Sequence, residues 1–170
     1  MTSYVALLRA VNVGKRQLKM EELRHLASEL GLDAPRTYIA SGNLLFESDR
    51  NEKALKAALE AALEQHMGAP VGVMVRTAAE MAAVVSATRF GKEPGNRVVA
   101  IFLDEAPPED AAANARNVAD ETIAAGKREL YVHYPTGQGP SKLVIPAAAQ
   151  GTARNMNTVA KLAQLAKEVA

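Results

Sequence analysis

Two short stretches, Tyr4 to Val11 and Val98 to Leu103, are apolar at successive positions rather than at alternate ones, with Arg9 the one charged interruption. A strand apolar on both faces must lie inside a sheet that is covered on two sides, so each stretch predicts a central strand. In the first, Tyr4, Ala6, Leu8 and Ala10 oppose Val5, Leu7 and Val11. Whichever face the local helices leave open is then a large apolar stripe. The second half, the helix after Thr77 or a second subunit must cover it. A chain of 170 residues, 48% of them hydrophobic, is long enough for one substantial core or two small packed halves.

The intervening residues fill in a pattern. Met20, Leu23, Leu26, Ala27 and Leu30 recur at helical spacing until Gly31 supplies a stop. Arg36 to Ala40 and Asn43 to Glu47 form a hairpin around Ser41-Gly42. Asp49 with Glu52 caps a helix that carries Ala54 to Leu63 and ends at Gly68, and Val71 to Arg76 is the next strand. The order βαββαβ is that of a ferredoxin-like subdomain over residues 1–76. Thr77 with Glu80 forms a second capping box for a helix through Ala87, and a Gly- and Pro-containing connector runs to Asn96. After the strand at Val98, Pro107 to Asp110 opens an alanine-rich helix to Ala119, and Glu121 to Ala124 with Glu129 to Tyr134 makes a hairpin around Gly126. Residues 77–170 thus read as a second α+β subdomain, an incomplete βαββ copy that packs on the first and ends in a C-terminal helix.

Net charge and residue inventory exclude several functions. A formal charge of +1 gives no global field for nucleic acid or anionic membrane, so basic recognition must be local. The absence of cysteine removes thiolate nucleophiles, disulfides and thiolate metal sites. The three histidines lack a metal-binding spacing, and the chain has neither a Walker pattern nor a dinucleotide fingerprint, so no metal and no cofactor is expected. No apolar run approaches the ~18 residues of a membrane span, and no leader pattern opens the chain. The expectation is a soluble cytoplasmic protein.

Polar residues that carry chemistry gather in four places. Asn12-Val13-Gly14-Lys15 follows the first strand and precedes a helix, where backbone N–H groups commonly meet an anion. Arg16 beside it reads as solvated. Ser41 lies on a turn with no base adjacent in sequence, so the hairpin explains it better than nucleophilic catalysis does. His133 on a strand and Lys142 in the glycine-bearing loop Pro135 to Ser141-Lys142 are candidate acids or bases. Gly151 to Lys161 reads as the start of the last helix. At 100° per residue Arg154, Asn157, Thr158 and Lys161 share one arc, opposite Val159, Leu162, Ala163 and Ala166. Thr152 or Asn155 is its cap.

The series Tyr4 to Gly14, Met20-Glu21-Glu22-Leu23, Arg36 to Asn43, His133-Tyr134-Pro135, Ser141-Lys142 and Gly151 to Thr158 resembles the bacterial family of domain of unknown function 1697, in order and over almost the whole chain. Ala10 stands where that family usually has Gly, which implies less need for close approach at the strand end. Met156 stands where it usually has Trp, which removes an aromatic platform. The resemblance implies tandem ferredoxin-like subdomains and no particular activity. It also draws Arg9, Asn12, Gly14, Lys15, Ser41, Asn43, Lys142, Arg154, Asn155 and Asn157 into one composite ligand site, rich in donors and almost without carboxylates. The function expected is binding of a phosphorylated, nucleotide-like small molecule in a cleft between the subdomains. Two alternatives stand beside it: a nucleic-acid-binding or regulatory module of weak affinity, and an enzyme using Lys142 or His133 with Arg154 as an anion clamp.

Overall fold

The computed structural model describes residues 1–12 and 16–169. The chain divides into two compact units, residues 1–81 with 162–170, and residues 82–161. In chain order the elements are β1 (Thr2–Leu8), α1 (Met20–Glu29), β2 (Asp33–Thr37), β3 (Asn43–Ser48), α2 (Glu52–Met67), β4 (Val73–Thr77) and α3 (Ala78–Ala87). They continue with β5 (Val98–Phe102), β6 (Thr122–Ala125), β7 (Glu129–His133), β8 (Thr152–Asn155) and α4 (Met156–Val169). The fold class is α+β, with two four-stranded antiparallel sheets.

In the first unit the strand order is β2-β3-β1-β4. Tyr4, Ala6 and Leu8 of β1 pack with Leu44, Phe46, Val73 and Val75 against Leu23 and Ala27 of α1 and Leu55, Leu59 and Leu63 of α2. The opposite face, carrying Val5, Leu7, Leu45 and Met74, is buried as well. Residues 162–169 of α4 help cover it: the buried Ser3 hydroxyl donates to the Ala166 carbonyl at 2.8 Å, and Arg36 donates to the Leu165 carbonyl at 2.9 Å. The two-sided apolar pattern of β1 therefore has its physical counterpart. The strand itself ends at Leu8 rather than Val11, because Ala10 and Asn12 take left-handed backbone conformations, φ 54° and 58°.

The second sheet has the order β6-β7-β5-β8, which repeats that of the first with β5 in the place of β1. One face, from Val99, Ile101, Leu130 and Val132, packs with Ala111, Tyr134 and Ile145. On the other face Tyr131 donates from its hydroxyl to the Val84 carbonyl of α3 at 2.7 Å.

The first arm of the β2–β3 hairpin is Asp33–Thr37 rather than Arg36 to Ala40, and three further sequence expectations fail. The helix from Pro107 to Ala119 is absent. Residues 108–115 make only separate turns, Arg116 pairs with Val144 in an isolated bridge, and Asn117 is left-handed. Its alanines offer little apolar area, so helix propensity loses to the pairing with Val144. The last helix begins at Met156, and Thr152–Asn155 is a strand on β5. A central β5 needs a second neighbour, and Gly151 permits it: a Cβ there would lie 2.8 Å from the Phe102 carbonyl oxygen. Finally, Asn51 rather than Asp49 caps α2, accepting from Ala54 N–H at 2.8 Å.

Candidate functional site

The end of β1 in the first unit gathers four of the predicted residues. Leu8 N–H donates to Gly42 and Arg9 N–H to Gly72, both at 2.8 Å, which ties the strand end to the β2–β3 loop on one side and the α2–β4 loop on the other. Asn12 then bridges two loops. Its Nδ2 donates to the Ala40 carbonyl at 2.6 Å, and its Oδ1 accepts from Leu18 N–H at 2.7 Å. Asn43, fully buried, donates to the Tyr38 carbonyl at 2.8 Å and to Ser41 Oγ at 3.0 Å. Both asparagine amides are committed to holding loops, so they position the rim. Ile39 at φ 53° and Gly42 at φ 90° add two more left-handed residues, and a Cβ on Gly42 would meet Val11 Cγ2 at 2.7 Å. Gly14 and Lys15 lie outside the described residues.

Arg16, read from sequence as a solvated residue, belongs to this rim instead. It donates to the Pro70 carbonyl at 2.9 Å, while its buried Nε finds no hydrogen-bond partner among the described residues. The signal available in sequence was only its adjacency to Lys15.

The second unit treats its candidates differently. Arg154 lies within β8, opposite Ala100, and is buried, against the expectation of a polar helix face. It donates to Thr152 Oγ1 at 2.7 Å and the Ala153 carbonyl at 2.9 Å, and burial pushes its guanidinium pKa down to about 10. Asn155 caps α4, accepting from Thr158 N–H at 2.9 Å, and exposed Asn157 rests against Gly95. His133 lies against Phe90 with the rings tilted and their centroids 5.5 Å apart, and places Nε2 3.5 Å from Glu93.

Lys142 lines a hollow of about 690 Å³ with Asp120, Glu121, Thr136 and Ser141. Ser141 Oγ donates to Glu121 at 2.5 Å and Thr136 Oγ1 to Asp120 at 3.1 Å. Above all that Ser141 bond, then the Ala119 N–H, holds the Glu121 carboxyl below its usual range. The Tyr134 phenol is pushed up by burial and then by Glu121. These carboxylates, missed in sequence because their partners arrive from a distant loop, make the surroundings of Lys142 unlike the carboxylate-poor anion site expected.

Arg154 is not among the residues that line the Lys142 hollow. Leu143 and Tyr134 flank the packing around Val99 and Ile101, whereas Arg154 pairs with Ala100 and so faces the other side of the sheet. His133, opposite Val98, shares the Arg154 face but is one step further along β5. Among the described residues no cluster of His, Asp or Glu has the geometry for a metal ion, and no helix is long and apolar enough to cross a membrane.

Comparison with known proteins agrees with the fold. The chain is similar to a conserved bacterial protein, SP0830 from Streptococcus pneumoniae, with 25% identity, a TM-score of 0.80, and 98% of this chain and 99% of that one covered. No curated protein matches it. Residues 1–131 match the family described as protein of unknown function (DUF1697), and the chain therefore belongs to that family.

Proposed function

We propose that the chain is a binding protein for a phosphorylated small molecule, held at the rim where β1 ends. The observation that carries this is Arg16: one guanidinium nitrogen is anchored on Pro70 while the buried Nε has no acceptor among the described residues. A buried donor of that kind costs free energy until an acceptor arrives, and a phosphate oxygen is the acceptor a guanidinium fits best. Arg9 stands at the same strand end, so two positive charges lie near the rim. That count suits one or two phosphates rather than a polyanion, and predicts weak nucleic-acid binding with a shallow salt slope. The left-handed backbone at Ala10, Asn12, Ile39 and Gly42 supports the reading, since backbone strain concentrates at ligand clamps. The strand order β4-β1-β3-β2 with βαββαβ connectivity supports a ferredoxin-like assignment for this unit. The cysteine-free composition supports a cytoplasmic location.

Calorimetric titration with inorganic phosphate and with a nucleoside triphosphate tests the proposal. Wild type binds the nucleotide saturably, and Arg16→Gln weakens it about tenfold with little change in melting temperature, as loss of a charge-assisted bond requires. Equal binding by wild type and Arg16→Gln, or none by either, rejects it.

A further inference from the structure

The two hairpin edges of this protein are built differently. β2 protects its outer edge with Asp33, Pro35, Arg36, a left-handed Ala34 and a register shift between Asp33 and Arg36. β6, Thr122-Ile123-Ala124-Ala125, has no charge, no proline and an unbroken register with β7. Among the described residues no strand pairs with its other side.

The ladder fixes which groups that free edge presents. Gly126 N–H donates to Glu129 at 2.7 Å and closes the hairpin, so alternation turns Thr122 and Ala124 toward β7 and points the N–H and C=O of Ile123 and Ala125 outward. A two-fold axis perpendicular to an antiparallel pair must pass through one residue and its own copy. Centred on Ala124, Ile123 exchanges both bonds with the partner's Ala125, and the small Ala124 side chains meet at the axis. The same register brings Glu121 toward the partner's Lys127, the first turn residue after the strand, twice over by symmetry, while Arg128 is turned inward with its carbonyl accepting from Leu103 N–H at 2.9 Å. Centred on Ile123, it sets Glu121 opposite the partner's Ala125 and Asp120 opposite the partner's Gly126, with no charge pairing. Asp120 and Lys127 are both exposed.

We propose that β6 is a self-association edge, taking a second copy of this chain in antiparallel register centred on Ala124. The occupant follows from the charges: acidic residues precede the strand and basic ones follow it, a pattern complementary to its own reverse.

The lack of cysteine makes a direct test possible. At the axis the Ala124 Cα atoms are about 4.5 Å apart, within the reach of a disulfide. Ala124→Cys is expected to form a covalent dimer under mild oxidation, much faster than Ala113→Cys in an exposed loop. Sedimentation of the wild type is expected to show a mass rising with concentration. Lys127→Glu weakens that association about tenfold by turning two attractive pairs into repulsive ones. Mixing Lys127→Glu with Glu121→Lys restores it. Ile123→Pro, which deletes an outward N–H and spares the bonds to β7, abolishes it even where Glu121→Lys is compromised by loss of the Ser141 contact. A monomer at all concentrations, cross-linking of Ala124→Cys no faster than Ala113→Cys, or a dimer indifferent to both Lys127→Glu and Ile123→Pro overturns the proposal.

Discussion

Ala10 holds φ 54°, a conformation in which its Cβ is crowded and which glycine adopts freely. What this position demands is thus a backbone conformation, where the sequence suggested close approach. Ala10→Gly relieves that strain at the cost of a looser unfolded chain, and a net gain of ~1 kcal/mol is expected. A calorimetric melting temperature lower than wild type would refute this. Asn12 and Asn43 illustrate the limit of residue-level reading. Their types and positions pointed to a polar loop cluster, yet whether an asparagine binds a ligand or clamps a loop depends on which carbonyls lie opposite it: Ala40 reaches Asn12 from 28 residues away, and Tyr38 reaches Asn43 across the β2–β3 loop.

Between elements, Tyr131 is the tie from β7 to α3 through the Val84 carbonyl. Burial, and after it the Glu129 charge, push its phenol from the ordinary 10.0 up to about 12. Between those values the folded protein keeps the proton while the unfolded chain releases it. Its contribution is therefore complete below pH 10 and is lost as pH rises through about 12. Tyr131→Phe is expected to cost ~1 kcal/mol at neutral pH and to show a shallower decline in urea stability than wild type above pH 10. Identical declines would mean the phenol is not the cause. Of the local helix signals, Thr77 and Glu80 make the reciprocal capping box their spacing implies, at 2.9 and 3.1 Å, whereas the Asp49–Glu52 spacing does not, Asn51 being the cap of α2. Such signals also failed over residues 107–119, where proline and alanine promised a helix with almost nothing to pack.

For the whole molecule, the last residues of α4 belong with the first unit, although the sequence boundary after Arg76 assigned them to the second half. Leu162 and Ala166 are fully buried, and the Ser3 hydroxyl relies on the Ala166 carbonyl. A chain ending at Lys161 gives up ~2 kcal/mol of leucine burial and leaves a buried hydroxyl unpaired, so its melting temperature should fall by ~10 °C. An unchanged circular-dichroism melt would show that those residues cover nothing. Sequence alone determined the two central strands, the hairpins at Ser41-Gly42 and Gly126, and helices α1 and α2, because periodicity, caps and turn residues act over a few neighbouring positions. Only the tertiary structure decided that Thr152–Asn155 is a strand, that Arg154 is buried, that Arg16 belongs to the rim at β1, and what covers the second face of the first sheet. Each of these is set by a partner distant in the chain, whose pairing or burial outweighs the local preference of the residues it meets.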